Sequence, residues 1–383
     1  MKVLIATDSF KGSLSSGEAN QIIEIAIREA YPNAECIKIP IADGGEGTLE
    51  AIEAIPGDKF ARKQVAVKDP LGRDVYAEYI FNNDSAIIEM AQASGITLLR
   101  DDELNPMKTT SFGLGQLISD ALKNGYRKIY IGIGGSATND CGIGAMSVLG
   151  YKFLDKNGNL VKPCGENLGA IAVICDDDAM PEIAGADFVV MCDVTNPLTG
   201  KKGATYTFGP QKGADGHMLQ HLEEGMISFK NVLKDYTMTS GKSYDCNETG
   251  YGAAGGLGAA LNIFLNAKIQ SGIDTIMELA DFDGQLNGVD LVITGEGRTD
   301  GQSADGKVIN GIATRCKNRN IPLLVVSGMV TPDADCLHNM GVSHMESCMK
   351  SGESLEHAMR YAKENLHEAT VRGLRAIGMV HAD

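Results

Sequence analysis

Carboxylates, lysines and hydroxyl side chains recur in short glycine-rich segments that directly follow apolar runs of this sequence. The segments are TDSFKGS at 7–13, ADGGEGT at 42–48, GIGGSATNDCG at 132–142, DVTNPLTG at 193–200 and TGEGRTDGQS at 294–303. A single segment of this kind would mean little, since Asp, Gly and Ser are ordinary turn residues. Ligands of open α/β sheets bind beyond the carboxyl ends of the strands, so the recurrence predicts a shared polar cleft.

The charged residues of these segments suit phosphoryl transfer. This reaction depends mostly on positioning and on charge stabilisation by cations and a metal ion. We expect Lys11, Arg298 and Lys307 to bind phosphate or carboxylate, whereas solvent exposure explains Lys201 and Lys202 equally well. Mg²⁺ takes one or two carboxylates together with phosphate oxygens and waters, and a hydroxyl nucleophile needs a carboxylate base nearby.

Two glycine patterns resemble nucleotide-binding motifs without matching them. Gly301-x-x-x-x-Gly306-Lys307 is a P-loop except that Val308 occupies the position of the final Ser or Thr. A P-loop joins its strand directly to its helix, whereas residues 294–300 intervene here, so we interpret the match as chance. The segment from residue 132 fails the dinucleotide fingerprint because Ala137 fills the third glycine position. Backbone N–H groups could still cradle phosphate there.

Length and composition exclude several classes of protein. The 383 residues suggest two domains or one large one, and 43% are hydrophobic, enough for a core. The net charge of −16 argues against a non-specific nucleic-acid binder and an anionic membrane surface, but it leaves anionic small molecules possible. Nine scattered cysteines without a C-x-x-C pair fit a reducing cytoplasm. No apolar run is long enough to predict a membrane span.

The apolar periodicity predicts an α/β texture at both ends of the chain. Strands at Val3–Ala6 and Glu35–Ile41 flank a helix, and this order is typical of a parallel sheet. Strands at Arg62–Val67 and Asp74–Phe81 surround a Pro-Leu-Gly turn, which predicts an antiparallel hairpin. Residues 354–377 have the spacing of one amphipathic helix at the end of the chain.

These elements predict an α/β fold with two domains. Residues 1–62 and 285–383 would form a doubly wound, mostly parallel, Rossmann-like core. Residues 63–284 would form an inserted mixed α/β domain.

Seven segments together resemble the bacterial glycerate kinases of the first type. They are the five segments above, FGPQKGA at 208–214 and YGAAGGLGAAL at 251–261. The resemblance runs in order from residue 1 to about residue 380. It implies an ATP-dependent kinase that phosphorylates D-glycerate in a cleft between two α/β domains. In similar enzymes the product is usually 2-phosphoglycerate, and 3-phosphoglycerate is the alternative.

Within this interpretation, Asp193 is the first candidate for the general base or a metal ligand, because it ends a buried strand. Asp300 is the second candidate for both roles, and Asp43 is the third. Lys11 and Arg298 would hold the substrate carboxylate or the transferring phosphoryl group. The further predicted contacts to glycerate or ATP are Ser9, Ser13, Gly44, Gly45, Glu46, Gly134, Gly135, Ser136, Thr138, Asn139, Asn196, Lys212, Gly255, Gly256, Glu296 and Lys307.

The expected ligands are therefore ATP, Mg²⁺ and D-glycerate, without nucleic acid or membrane. We expect a cytoplasmic monomer or homodimer. Two alternatives have different chemistry. A nicotinamide-dependent dehydrogenase would share the α/β texture, but the glycine fingerprint is missing. A non-catalytic sugar-acid binding protein would bind glycerate without releasing ADP.

Overall fold

A computed structural model describes residues 1–42, 44–45, 47–55, 60–245, 247–304, 308–350 and 352–378. The predicted site residues Asp43, Glu46 and Lys307 lie outside the described residues. The chain divides into two compact units. Unit 1 consists of Met1–Asp43, Glu50–Asp58 and Ile273–Asp383, and unit 2 consists of Gly44–Leu49 and Lys59–Gly272. The predicted domains, bounded at residues 62 and 285, stay a prediction.

The strands are numbered in chain order. They are β1 Lys2–Thr7, β2 Glu35–Lys38, β3 Ala61–Lys68, β4 Asp74–Phe81, β5 Ser85–Glu89, β6 Lys128–Gly132, β7 Lys152–Leu154, β8 Val173–Cys175, β9 Asp187–Met191, β10 Lys268–Gln270, β11 Leu291–Gly295, β12 Arg298–Thr299, β13 Leu323–Ser327, β14 Met329–Val330 and β15 His344–Ser347.

The α-helices are numbered in the same way, and in the described part of the chain none is long and apolar enough to cross a membrane. They are α1 Ser16–Ala30, α2 Thr48–Glu53, α3 Ala91–Ser94, α4 Phe112–Lys123, α5 Ile143–Val148, α6 Ala204–Phe208, α7 Gly216–Ser240, α8 Ala253–Leu265, α9 Gly272–Leu279, α10 Phe282–Gln285, α11 Val308–Arg319, α12 Leu355–Arg360 and α13 Ala362–Ala376.

Unit 1 is built on a parallel sheet with the strand order β15-β13-β11-β1-β2. Helices α1 and α13 pack on each other and on this sheet. Val3 and Ile5 of β1 share one apolar cluster with the helix residue Ile23, whereas Leu4 between them points to the other face, and all are fully buried. Both faces of the strand are therefore covered, as is usual in parallel sheets, and the doubly wound interpretation is confirmed.

The start of α1 shows why the chain turns where it does. Ser15 Oγ accepts from Glu18 N at 3.2 Å, and Glu18 Oε2 accepts from Ser15 N at 3.1 Å. This reciprocal capping box satisfies two backbone N–H groups that the first turn of a helix leaves without partners. The loop that follows β1 therefore ends at Ser15.

Unit 2 contains a mixed sheet with the strand order β10-β9-β6-β5-β4-β3. Strands β5, β6, β9 and β10 are parallel, whereas β3 and β4 pair antiparallel, with Ala61 opposite Phe81 and Lys68 opposite Asp74. The predicted hairpin is thereby confirmed. Its turn is held by Asp69, whose Oδ1 accepts from Leu71 N and Arg73 N, each at 2.9 Å.

The prediction of one terminal helix over 354–377 is wrong. The helical segment divides into α12 and α13 at Tyr361, whose backbone has φ −108° and ψ 29°. Leu355 of α12 is 62% exposed and Met359 is 37% exposed, whereas Leu366 of α13 is fully buried. The apolar spacing continues through Tyr361, but only α13 buries its apolar face, so periodicity alone could not locate the break.

Gly295 ends β11 where a larger residue has no room. A Cβ atom there would lie 1.8 Å from the carbonyl oxygen of Val326 on β13.

We expect Gly295→Ala to lower the free energy of unfolding by about 3 kcal/mol, because two backbone segments must separate. Gly17→Ala is the matched control, since a Cβ atom added to Gly17 in α1 would meet nothing within 4 Å. Denaturant unfolding should show no loss, or a gain of up to about 1 kcal/mol, for the control. Equal stabilities of the two variants would contradict the packing argument.

Candidate active site

The loops that follow β1, β11 and β13 meet at the carboxyl ends of these strands in unit 1. Asp8 N donates to Gly295 O at 2.9 Å, and Gly328 N donates to Glu296 O at 3.0 Å. A Cβ atom on Gly297 would lie 3.3 Å from Lys11 N. The predicted residues of segments 7–13 and 294–303 therefore lie side by side.

Lys11 stands at the tip of a short turn between two buried anchors. Phe10 N donates to Leu14 O at 2.8 Å, Leu14 N donates to Phe10 O at 3.1 Å, and both side chains are 4% exposed. Ser13 Oγ donates to Phe10 O at 2.8 Å, so this hydroxyl supports the turn. Lys11 and Ser9 are exposed. The turn presents the Lys11 ammonium group to solvent at the strand ends.

Glu296 is held by hydroxyl groups. Its Oε1 accepts from Ser303 Oγ at 2.7 Å and from Thr299 Oγ1 at 3.3 Å. Thr299 Oγ1 and Ser327 Oγ are 2.7 Å apart, and both residues are fully buried. Two hydroxyl side chains thus fix the orientation of this carboxylate directly, and Ser327, at the end of β13, supports one of them.

Arg298 and Asp300 form an ion pair beside Glu296. Arg298 Nε lies 3.2 Å from Asp300 Oδ2, and the side chains are 63% and 22% exposed. Such a solvent-exposed pair contributes no more than about 1 kcal/mol, so a bound anion can compete for the guanidinium group at low cost. The backbone beyond Asp300 is anchored, because Gly301 N donates to Asp333 Oδ2 at 3.0 Å.

In unit 2, the loop that follows β6 is the richest in predicted residues. Gly44 and Gly45 lie against its start: Gly134 N donates to Gly44 O at 3.2 Å, and a Cβ atom on Gly134 would lie 2.6 Å from Gly45 Cα. Gly134 is half-buried and Gly135 is exposed. These glycines are the part of the loop whose backbone a ligand can approach closely.

The interior of the same loop is supported by Lys212. Lys212 Nζ donates to Ser136 Oγ at 2.8 Å and to Thr138 O at 2.6 Å. Lys212 is 1% exposed, and Thr138 and Asn139 are fully buried. Loss of hydration lowers the pKa of Lys212 to about 7, while Asp140 acts in the opposite direction. Direct binding of a ligand by Lys212, Thr138 or Asn139 stays a prediction.

Asp140 ties this loop to the start of α4, a role that sequence reasoning missed. Its Oδ2 accepts from Ser111 N and Ser111 Oγ at 2.8 Å each, and from Gly144 N at 3.3 Å, while its Oδ1 accepts from Gly142 N at 3.1 Å. Burial raises the pKa of Asp140, and these hydrogen bonds oppose that rise. A carboxylate two residues before a glycine was the available signal, but its partner Ser111 lies 29 residues earlier in the chain.

The glycine cluster at the start of α8 packs against the same loop. Gly255 and Gly256 have φ values of +67° and +91°, inside what the hydrogen bonds define as one helix. A Cβ atom on Gly255 would lie 2.1 Å from Thr138 O, and one on Gly256 would lie 2.9 Å from Cys141 Cα. Only glycine combines this backbone conformation with such close packing. Both residues are buried, so anion binding by them stays a prediction.

Asp193 follows β9 and is exposed. Its Oδ1 accepts from Gly272 N at 3.1 Å, which holds the carboxylate at the end of the sheet. Asn196 orders the next loop, because its Nδ2 donates to Lys202 O at 2.8 Å. The strand-end position predicted for Asp193 is therefore confirmed, and its chemical role stays a prediction.

Three charged residues that sequence reasoning missed hold the loop after Asp193. Glu223 Oε1 accepts from Gly200 N at 2.6 Å, and Glu248 Oε2 accepts from Leu198 N at 3.3 Å. Lys230 pairs with Glu248 and donates to Thr199 Oγ1 at 3.3 Å. Burial alone would raise the pKa of Glu248, but hydrogen bonds from Lys230 and Tyr244 leave it below its usual value.

The sequence does indicate that Glu223 and Lys230 could act together. Glu223 and Lys230 are seven residues apart on α7, which places them on one face of the helix, two turns from each other. Charges with this spacing also occur on solvated helix faces. The sequence alone therefore could not show that this face meets segment 193–200.

Comparison with known proteins agrees with the resemblance found in the sequence. The sequence profile of the glycerate kinase family matches residues 3–377. The chain is 40% identical to Glycerate 2-kinase of Escherichia coli (strain K12) over 386 aligned positions that cover both proteins fully. It is 39% identical to Glycerate kinase of Bacillus subtilis (strain 168), with 98% of this chain and 97% of the relative aligned.

A solved structure is similar over almost the whole chain. A crystal structure from Salmonella typhimurium LT2, provisionally named glycerate kinase 2, superimposes with a TM-score of 0.86 at 38% identity. The alignment covers 99% of this chain and 98% of the Salmonella protein. Both the fold and the sequence lead to the same conclusion. This chain belongs to the glycerate kinase family.

Proposed function

We propose that this kinase transfers the γ-phosphoryl group of Mg²⁺-bound ATP to D-glycerate, giving ADP and 2-phosphoglycerate. The observation that carries the proposal is that segments 7–13 and 294–303 lie side by side and present two exposed cations, Lys11 and Arg298, in the same loops as the carboxylates of Glu296 and Asp300. The name of the Escherichia coli relative, Glycerate 2-kinase, supports the 2-phosphate as product. Phosphorylation of the 3-hydroxyl by the same chemistry would give 3-phosphoglycerate instead.

In unit 1, the proposal assigns anion binding to the two cations. Lys11 and Arg298 hold the glycerate carboxylate or the transferring phosphoryl group, whose negative charge they stabilise. Arg298 leaves Asp300 when an anion binds, and Asp300 can then serve as a metal ligand. Glu296, held by the hydroxyl groups of Thr299 and Ser303, accepts a hydrogen bond from a substrate hydroxyl, and Ser9 and Ser13 line the Lys11 turn.

In unit 2, the proposal assigns proton transfer and phosphate binding. Asp193 is the first candidate for the base that takes the proton of the attacking hydroxyl, and its exposed carboxylate also suits Mg²⁺. The metal, when bound, neutralises charge on the phosphate oxygens. Gly135 offers its backbone N–H group to an anion. Gly134, whose N–H donates to Gly44 O, lets the anion approach the backbone closely, and Gly45 lies beside it. Asn196 would contact the ligand from the loop after Asp193.

The cytoplasm is part of the proposal as its compartment. The cysteines that the structure describes are free thiols, and such thiols persist in a reducing environment. ATP and Mg²⁺ are plentiful there. Neither a nicotinamide cofactor nor a purely binding function gains support from any contact described above.

Phosphorus NMR tests the reaction directly. After incubation with ATP, Mg²⁺ and D-glycerate, we expect ADP and a phosphomonoester with the shift and proton coupling of 2-phosphoglycerate. A mixture without D-glycerate controls for simple ATP hydrolysis. The 3-phosphate instead would change the assigned hydroxyl but keep the kinase, whereas intact ATP and no phosphoglycerate would refute the proposed reaction.

Asp193→Asn tests the proposed base. The amide keeps the shape of the side chain but cannot take a proton, so we expect kcat to fall by about 10²- to 10⁴-fold. Asp187→Asn is the matched control, because Asp187 is an exposed aspartate at the other end of the same strand. Steady-state kinetics and circular dichroism of both variants provide the measurement. Near-normal turnover of a folded Asp193→Asn protein would remove Asp193 from the mechanism.

Lys11→Met tests the proposed anion contact in unit 1. Loss of one cation from a phosphoryl-transfer site costs about 10²- to 10³-fold in kcat/KM, and we expect a loss of this size. Lys156→Met makes the same chemical change at an exposed lysine in the turn after β7 and should leave kcat/KM unchanged. If the two variants show the same kinetics in a coupled ADP assay, Lys11 is only a surface residue.

A further inference from the structure

We propose that Lys212 is a positioning residue, which directs the hydroxyl of Ser136 toward a bound anion without touching that anion itself. The inference rests on the proposed function, since the anion is a carboxylate or phosphate group of D-glycerate or ATP. It assigns Ser136 the direct contact. Lys212 then acts on substrate binding only through Ser136 and the backbone of the loop after β6.

The burial of Lys212 in the described conformation favours this indirect role. Its side chain is 1% exposed, yet its Nζ reaches two groups of the loop more than seventy residues earlier in the sequence. Lys212 ends the turn Pro210–Lys212, and the next residue, Gly213, has φ +91°. A Cβ atom on Gly213 would lie 2.4 Å from Leu104 O, so the backbone that directs the lysine inward is tightly packed.

Ser136 is placed at the boundary between this interior and solvent. It is 8% exposed and directly follows the exposed Gly135. The neighbouring backbone is fixed by segment 94–96, because Ile96 N donates to Gly135 O at 2.8 Å and Ala137 N donates to Ser94 O at 3.0 Å. Among the described residues, Lys212 is the hydrogen-bond partner of the Ser136 hydroxyl group. Because the Ser136 oxygen accepts from Lys212, the proton of this hydroxyl points away from the lysine and toward a ligand.

The ammonium form of Lys212 fixes the direction of this hydrogen bond, whereas the neutral amine permits both directions. As an ammonium group it has donors only, so Ser136 Oγ must accept. As a neutral amine it has a lone pair, which can accept the Ser136 proton and turn the hydroxyl inward. Desolvation lowers the pKa of Lys212 to about 7, and Asp140, the charged residue that faces it within the described structure, opposes the shift. Anion binding should therefore weaken as the pH rises through about 7.

Calorimetry of ligand binding tests this inference separately from turnover. We expect wild-type protein to bind D-glycerate or ATP about tenfold more weakly at about pH 8.5 than at about pH 6, a change typical of losing one charge-assisted hydrogen bond. Ser136→Ala should lose most of this pH dependence, since the hydroxyl is gone. Lys212→Met should lose it too, and Lys156→Met, the surface control, should keep it.

The outcomes are distinct. If Ser136→Ala retains the wild-type pH dependence, or if wild-type affinities for both ligands do not change between the two pH values, the inference is wrong. Ser136→Ala decides the matter should Lys212→Met fail to fold, which thermal melting would show. A wild-type protein with the expected pH-dependent binding but no phosphoglycerate product would refute the proposed reaction and leave the inference standing.

Discussion

Burial of both faces of the parallel strands is the constraint from which the arrangement of polar groups follows. Val3, Leu4 and Ile5 of β1 are all fully buried, although neighbouring side chains point to opposite faces. Such a strand has no solvated face on which a charged side chain could stand at low cost. Polar chemistry is therefore confined to the strand ends, and in unit 1 the loops after β1, β11 and β13 bring Lys11, Glu296 and Arg298 together there.

The loops need support from within, because glycine-rich segments have little order of their own. Buried carboxylates supply much of it by accepting backbone N–H groups, as Asp140 does from Gly142 and Gly144, and Glu223 from Gly200. Burying a charge is costly unless it is hydrogen-bonded, so each such carboxylate fixes the loop that satisfies it. The exposed side chains at the loop tips can then exchange a hydrogen-bond or ion-pair partner for a ligand while the loop backbone stays in place.

Local patterns in the sequence were sufficient for strands β1 and β2 of the parallel sheet and for the β3–β4 hairpin, since each depends on residues close together in the chain. They were also sufficient for the strand-end segments as a group. They could not show the break at Tyr361, where the apolar spacing continues but burial does not, nor the left-handed backbone at Gly255, which packing against Thr138 O requires. These features depend on distant contacts that no short pattern encodes.

The same limit applies to the lysines. Lys11 and Lys212 both precede a glycine in a polar loop, and the sequence analysis predicts that both contact an anion. The structure separates them by burial. Lys11 is exposed at a loop tip, where an anion can reach it, whereas Lys212 is buried and donates to Ser136 and Thr138 from inside. An exposed ammonium group can contact a substrate directly, whereas a buried one can only orient a neighbouring side chain. Burial, and not the neighbouring sequence, therefore distinguishes the roles proposed for the two lysines.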